Sequence, residues 1–114
     1  MTDYSKVSDL EINKRVAERL ELKPYYDKGI YSHDGKHVVT RGPLCLGRWS
    51  PCSDPAQAWP IIFANRIALI PDASEHGAHQ WWDAQSSCQK YGIQHQENPL
   101  RAAMIVYLMM NEGE

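Results

Sequence analysis

The stretch NPLRAAMIVYLMM, residues 98–110, decides how the rest of the chain must be arranged. Asn98 is a good helix N-cap and Pro99 suits the first helical position, so the pair predicts a helix over residues 100–110. Apolar residues occupy nearly every position of this helix instead of a single stripe. Its outer side must therefore be covered by the sheet, by another helix or by a second subunit.

Two further helices are expected upstream. Ser8 and Glu11 have the spacing of a capping box, and apolar residues then recur at helical spacing up to Leu20. Asp54-Pro55 repeats the cap-plus-proline signal and predicts a second helix that ends near Asn65.

Five segments have the pattern of β-strands. Asp34-Gly35 is a favoured type I′ turn pair and predicts a hairpin that joins residues 30–33 to residues 36–40. Residues 67–70 indicate a short buried strand stopped by Pro71, and residues 80–84 and 88–95 indicate two more. The predicted fold is α+β, with three helices packed on a small, mainly antiparallel sheet.

Composition limits the classes of protein to which the chain can belong. Its 114 residues suit a single domain over residues 1–114, and its net charge of −2 without a Lys/Arg cluster disfavours nonspecific nucleic-acid binding. The first residues lack the apolar core of a signal peptide, and the longest apolar run is too short to cross a bilayer. Three cysteines are an odd number, so we expect free thiols in a cytosolic protein.

Three segments resemble a known protein family. They are MTDYS with SDLEINK (residues 1–5 and 8–14), SPCSDPAQAWPII (residues 50–62) and NPLRAAMIV (residues 98–106). Together they resemble the NinX-like proteins of tailed phages, a family without an assigned function. The resemblance implies an α-β-α sandwich, an origin among the accessory genes of lambda-like phages and prophages, and a place in the host bacterial cytoplasm. It assigns no catalytic residue.

Histidines and a cysteine are the candidates for metal or proton chemistry. His76, His79 and Cys88 would supply three zinc ligands, but their spacing lacks the fourth partner of a closed zinc site. His33 and His37 flank the predicted turn and would form a proton-transfer pair or simply face solvent. We therefore expect neither a metal nor another cofactor.

Cys52 is the best candidate for a reactive residue. It precedes the second helix, whose positive N-terminus would lower the pKa of the thiol. No recognised nucleophile or phosphate-loop motif surrounds it, so a packed loop cysteine is the favoured interpretation. The backbone of Cys52, Ser53 and Asp54 would alternatively bind an anion such as a nucleotide phosphate at the helix N-terminus.

Aromatic residues are the candidates for a binding surface. Trp81 and Trp82 point to opposite faces if they lie in a strand, so one of them can face outward. An exposed tryptophan near Trp49, Tyr31 or Tyr91 would form a partner-binding surface or a base-stacking platform. Coverage of both tryptophans by helices is the structural alternative.

Two functions are compatible with these patterns. The first is a non-enzymatic phage accessory protein that binds a host or phage macromolecule during infection. The second is a protein that binds or processes a small, nucleotide-like ligand near the start of the second helix. Assembly into a homo-oligomer is compatible with either function.

Overall fold

The computed structural model describes residues 3–43 and 45–112, and this part of the chain has an α+β fold. The predicted fold class is confirmed, although the strands form two antiparallel three-stranded sheets where a single sheet was expected. The helices are α1 (Asp9–Arg19), α2 (Pro55–Asn65) and α3 (Pro99–Glu112). The first sheet consists of β1 (Lys23–Pro24), β2 (Val38–Gly42) and β3 (Leu46–Trp49), and the second of β4 (Ala68–Ala73), β5 (Gln80–Gln85) and β6 (Gly92–Gln96).

Helix α3 lies at the centre of the molecule. Residues 102–108 are all buried, so this helix has no solvent-exposed face along two turns. It packs against α1, α2 and all three strands of the second sheet. The prediction that this helix is covered on more than one side is confirmed, and its own chain supplies the cover.

Helices α2 and α3 begin with the same local chemistry. The Asp54 carboxylate accepts a hydrogen bond from the backbone N–H of Ala56 at 2.9 Å. The Asn98 side-chain oxygen accepts one from the N–H of Leu100 at 2.8 Å. Each bond satisfies a donor that has no partner inside its helix, so both predicted N-caps are confirmed.

Helix α1 begins as predicted but uses only half of the capping box. The Ser8 hydroxyl accepts from the backbone N–H of Glu11 at 3.2 Å, while the Glu11 carboxylate accepts from Arg15 Nε at 3.1 Å. Asn13 is buried, and its side-chain oxygen accepts from the backbone N–H of Cys52 at 3.1 Å. This tertiary hydrogen bond offsets the free-energy cost of burying the polar side chain.

The hairpin predicted around Asp34-Gly35 is wrong. The Asp34 carboxylate accepts hydrogen bonds from the backbone N–H groups of Lys36 and His37, each at 2.8 Å, and thereby forms a local turn. Aspartate competes in this way for backbone donors that a hairpin would otherwise use. The antiparallel hairpin is instead formed by β2 and β3.

The second sheet corrects two strand predictions. Pro71 does not stop its strand: β4 continues to Ala73, with Pro71 opposite Trp82. Because β4 is an edge strand, a residue without an N–H is tolerated there, and much of the strand is exposed where burial was predicted. Strand β5 is confirmed, whereas β6 begins at Gly92 and residues 88–91 belong to the preceding turn.

Candidate functional site

Helix α2 presents an outer face that the described part of the chain leaves uncovered. Trp59 is 59% exposed and Phe63 is 73% exposed. The two residues are one helical turn apart, and their ring centroids are 6.3 Å from each other. On the inner side of the same helix Ala58, Ile61 and Ile62 are buried.

An open groove of about 490 Å³ runs beside this aromatic pair. Its floor contains the buried residues Ile62 and Ile67, and its walls include the exposed aromatic rings. The groove connects the end of α2 with the start of β4. We refer to its lining residues as the α2 surface: Trp59, Ile62, Phe63, Arg66, Ile67 and Leu69.

Of the described residues that line this groove, Arg66 is the one that carries a charge. It ends α2 in the left-handed conformation, at φ +53°, and its backbone N–H donates to the carbonyls of Ile62 and Phe63. Within the described residues its guanidinium has neither a hydrogen-bond nor an ion-pair partner. The α2 surface therefore combines exposed aromatic rings with an unpaired positive charge.

Of the aromatic residues expected at a binding surface, Trp49 is buried, and Tyr31 and Tyr91 are half-buried. Trp49 is only 4% exposed, so it does not serve as a surface anchor, and that expectation is corrected. Tyr31 is half-buried and its hydroxyl donates to the carbonyl of Leu22. Tyr91 is half-buried, with the Lys90 ammonium 5.4 Å from its ring centroid. Burial follows from the contacts of these rings with the core.

Trp81 and Trp82 are both half-buried. They lie in β5, the central strand of the second sheet, where β4 and β6 flank them on either side. The Trp81 ring is tilted against the ring of His95, with the centroids 4.7 Å apart. Among the described residues, no ring contact joins this pair to Trp49, Tyr31 or Tyr91. The predicted aromatic cluster is therefore not assembled.

The Cys52 thiol is fully buried, which agrees with the favoured interpretation of a packed loop cysteine and contradicts the lowered thiol pKa expected of a reactive residue. Burial raises the pKa of Cys52 to about 12, and the negative charge of Asp9 adds to this effect. Loss of hydration of the thiolate outweighs the attraction of the helix N-terminus. The thiol stays protonated at neutral pH, which makes Cys52 unsuited to nucleophilic chemistry.

The N-terminus of α2 does not form the predicted anion site at Cys52, Ser53 and Asp54. The Asp54 carboxylate occupies the position of an anion by accepting from Ala56, and its carbonyl accepts from the next two N–H groups of the helix. The Ser53 hydroxyl is hydrogen-bonded to that of Ser50 at 2.5 Å. The donors that would bind a phosphate are already used.

Cys52 instead marks a structural junction. Its backbone N–H donates to Asn13, and its carbonyl accepts from Asn98 Nδ2 at 2.6 Å. Nearby, the Arg101 guanidinium donates to the carbonyls of Tyr4 and Val7, at 3.0 and 2.6 Å. The three segments that resemble NinX-like proteins therefore meet here, and these polar side chains hold the segments together.

His33 and His37 contact different neighbours. His33 stacks on Tyr26 with ring centroids 3.7 Å apart, whereas His37 Nδ1 is 2.7 Å from the Asp34 carboxylate. Among the described residues, no hydrogen bond joins the two imidazoles. Within residues 3–43 and 45–112, no three His, Cys, Asp or Glu residues come together in a way that could hold a metal ion. In the same ranges no helix has the length and apolar character needed to cross a membrane.

The exposed aromatic pair on α2 was missed at the level of sequence, although a signal for it was present. Residues 56–64 are apolar at every position except Gln57. This is the same all-round pattern that indicated either deep burial or a docked partner for α3. Applied to α2, it would have identified a helix with more apolar surface than one contact can cover.

Comparison with known families gives a match over nearly the whole chain. Residues 3–111 match the family model described as Bacteriophage P22, NinX. No curated protein and no solved structure matches the chain. The resemblance carried by the three segments is thereby confirmed.

Proposed function

The chain belongs to the bacteriophage P22 NinX family, and on that premise we propose that it is a phage accessory protein that binds another protein through the α2 surface. The partner is a host or phage protein present in the cytoplasm of the infected bacterium. In this proposal the NinX-family chain acts by binding and not by catalysis.

The exposed Trp59–Phe63 pair is the observation that carries this proposal. Two large apolar rings at 59% and 73% exposure leave apolar surface in water, which is unfavourable by roughly 25 cal/mol per Å². Tryptophan is among the residues that most often dominate binding energies at protein interfaces. The arrangement of two such rings one turn apart beside a groove is typical of a partner-binding helix face.

The chemical character of the groove also supports binding. Its lining offers aromatic and aliphatic side chains with one guanidinium, and none of these is a nucleophile or a general base at neutral pH. Such a surface can bury apolar side chains of a partner and orient a charge.

The nucleotide-binding alternative receives less support. A second cavity, of about 420 Å³, lies on another side of α2 and is lined mainly by apolar residues, among them Trp49, Pro60 and Ile61. Both amide side chains in its lining already have partners: Gln57 accepts from the Ser50 N–H at 2.6 Å and donates to the Arg48 carbonyl, and Asn65 donates to the Ile61 carbonyl at 2.8 Å. These walls do not suit a phosphate or a polar base.

Capture from phage-infected cells tests the proposal. Tagged wild-type protein is expected to capture a partner, and the affinity of Trp59→Gln for that partner should be roughly thirtyfold lower. This is the effect of removing about 2 kcal/mol of interface energy. Quantitative mass spectrometry of the captured proteins measures the ratio. Thermal melts of both proteins establish that the variant is folded.

Leu46→Gln provides the matched control. Leu46 is 78% exposed on β3 and lies outside the α2 surface, so its replacement removes a comparable amount of apolar surface without touching the groove. We expect Leu46→Gln to capture the partner in the same amount as the wild-type protein does. Equal capture by wild type and Trp59→Gln would contradict the assignment of the binding surface to α2.

A further inference from the structure

We infer that the α2 surface receives a short segment of its partner that carries apolar side chains next to a carboxylate, with the carboxylate bound by Arg66. This inference rests on the proposed function and names the chemistry of the partner. Three features of the described residues lead to it: the size of the apolar surface, its charge and the position of Arg66.

The exposed apolar surface is small. An aromatic side chain can bury roughly 150–250 Å². At exposures of 59% and 73%, Trp59 and Phe63 therefore offer on the order of 200–300 Å² together. A stable interface between two folded proteins needs about 800 Å² from each partner. The surface matches a few side chains of a short segment better than the face of a globular domain.

The charge of the groove selects the partner. Arg66 brings a guanidinium to the lining, and none of the described residues that line the groove carries a carboxylate to neutralise it. A guanidinium binds a carboxylate through paired N–H donors, and a neighbouring apolar surface strengthens the bond by excluding water. A segment with apolar residues and an adjacent Asp or Glu satisfies both parts of the surface.

A second copy of this chain is the less suitable occupant. If two α2 surfaces met face to face, each Arg66 would approach a groove that carries the same charge and no acid. Like charges without intervening acids disfavour such a symmetric contact. The charge pattern therefore favours an acidic partner over self-association.

Stabilisation of the helix end is the structural alternative for Arg66. A cation near the C-terminus of a helix interacts favourably with the helix dipole, and this role needs no partner. The backbone of Arg66, at φ +53°, adopts a conformation that glycine reaches more readily. Arg66→Gly therefore removes the charge while retaining a suitable helix end, so it separates the two roles.

Two synthetic peptides serve as probes. Both carry the same apolar residues at helical spacing; one is flanked by Glu and the other by Lys. Fluorescein-labelled peptides are titrated with the wild-type protein, and binding is followed by fluorescence polarisation at two salt concentrations. The Glu peptide is expected to bind more tightly than the Lys peptide, and its advantage should shrink at high salt.

Variants assign this preference to residues. Arg66→Gly is expected to lower the affinity for the Glu peptide by about two- to fivefold, as for the loss of a partly exposed ion pair. Its affinity for the Lys peptide should not fall. Arg66→Lys should keep a preference for the Glu peptide. Trp59→Gln should weaken both peptides by roughly thirtyfold, since both use the apolar groove. The melting temperature of Arg66→Gly should not fall.

The outcomes separate this inference from the proposed function. Three results would overturn the inference of an acidic partner: equal affinity for both peptides, binding of neither peptide, or an Arg66→Gly variant that binds the Glu peptide like wild type. The proposed function would still be supported in each case if capture from infected cells depends on Trp59. Capture that is indifferent to Trp59→Gln would remove the proposed function as well. A dimer in sedimentation equilibrium that is lost in Phe63→Gln would identify a second copy as the occupant and refute the inference.

Discussion

Helices α2 and α3 are alike in sequence and different in environment. Each begins with an Asx residue followed by proline, and each is apolar nearly all round. Residues 102–108 of α3 are nevertheless all buried, whereas α2 exposes Trp59 and Phe63. An apolar composition therefore predicts that a helix is buried against another surface. It does not show whether that surface belongs to the same chain or to a partner.

The difference follows from position in the fold. Helix α3 lies between the other two helices and the second sheet, so packed neighbours cover it on several sides. Helix α2 packs mainly on α3 and leaves its outer face to solvent in the described part of the chain. The remaining apolar surface of α2 is available to a partner, and that of α3 is already used for stability.

The largest expected effect is on the α3 side of this comparison. Ile105→Ala should lower the free energy of unfolding by roughly 2–5 kcal/mol, because a fully buried side chain is replaced by a cavity. Urea denaturation followed by circular dichroism measures the change. A loss no larger than that of an exposed residue would mean that α3 is not the centre of the core.

A smaller effect is expected at the two helix starts. Asn98→Ala should cost about 1–3 kcal/mol, since it removes the cap of α3 and also leaves the Cys52 carbonyl without the Asn98 donor. Asp54→Ala removes only a cap and should cost about 1 kcal/mol. Paired denaturant melts compare the two variants. An equal cost would show that the Asn98–Cys52 bond contributes little.

The smallest effect on stability is expected on the outer face of α2. Phe63→Gln should change the free energy of unfolding by no more than about 0.5 kcal/mol, because this side chain is 73% exposed and no buried contact depends on it. The same denaturant melt provides the measurement. A loss comparable to that of Ile105→Ala would indicate that Phe63 is covered by the chain, and the comparison between the helices would fail.

Features with a local cause were predicted well. Ser8, Asp54 and Asn98 each bind a backbone N–H two or three residues further along the chain, so the sequence around them contains both partners of the bond. The three helix starts follow from this. The hairpin prediction failed for the same kind of reason, because the Asp34 side chain closed its own turn.

Features that depend on distant segments were not predicted. The helix N-terminus near Cys52 is visible in the sequence, but the burial that raises the pKa of its thiol arises only when α1 and α3 close over it. Likewise the exposure of Trp59 and the burial of Trp49 depend on which elements pack against each residue. For this reason the sequence did not predict the raised pKa of the Cys52 thiol or that the exposed aromatic surface lies on α2.

The family, the positions of the three helices and the excess of apolar surface can be inferred from the amino-acid sequence, because motifs, caps and periodicity are encoded over a few neighbouring residues. Tertiary packing determines which apolar helix is buried and which one presents Trp59, Phe63 and Arg66 to solvent. The physical reason is that burial is a property of contacts between segments far apart in the chain, and a hydrophobic residue carries the same driving force towards either a core or a partner.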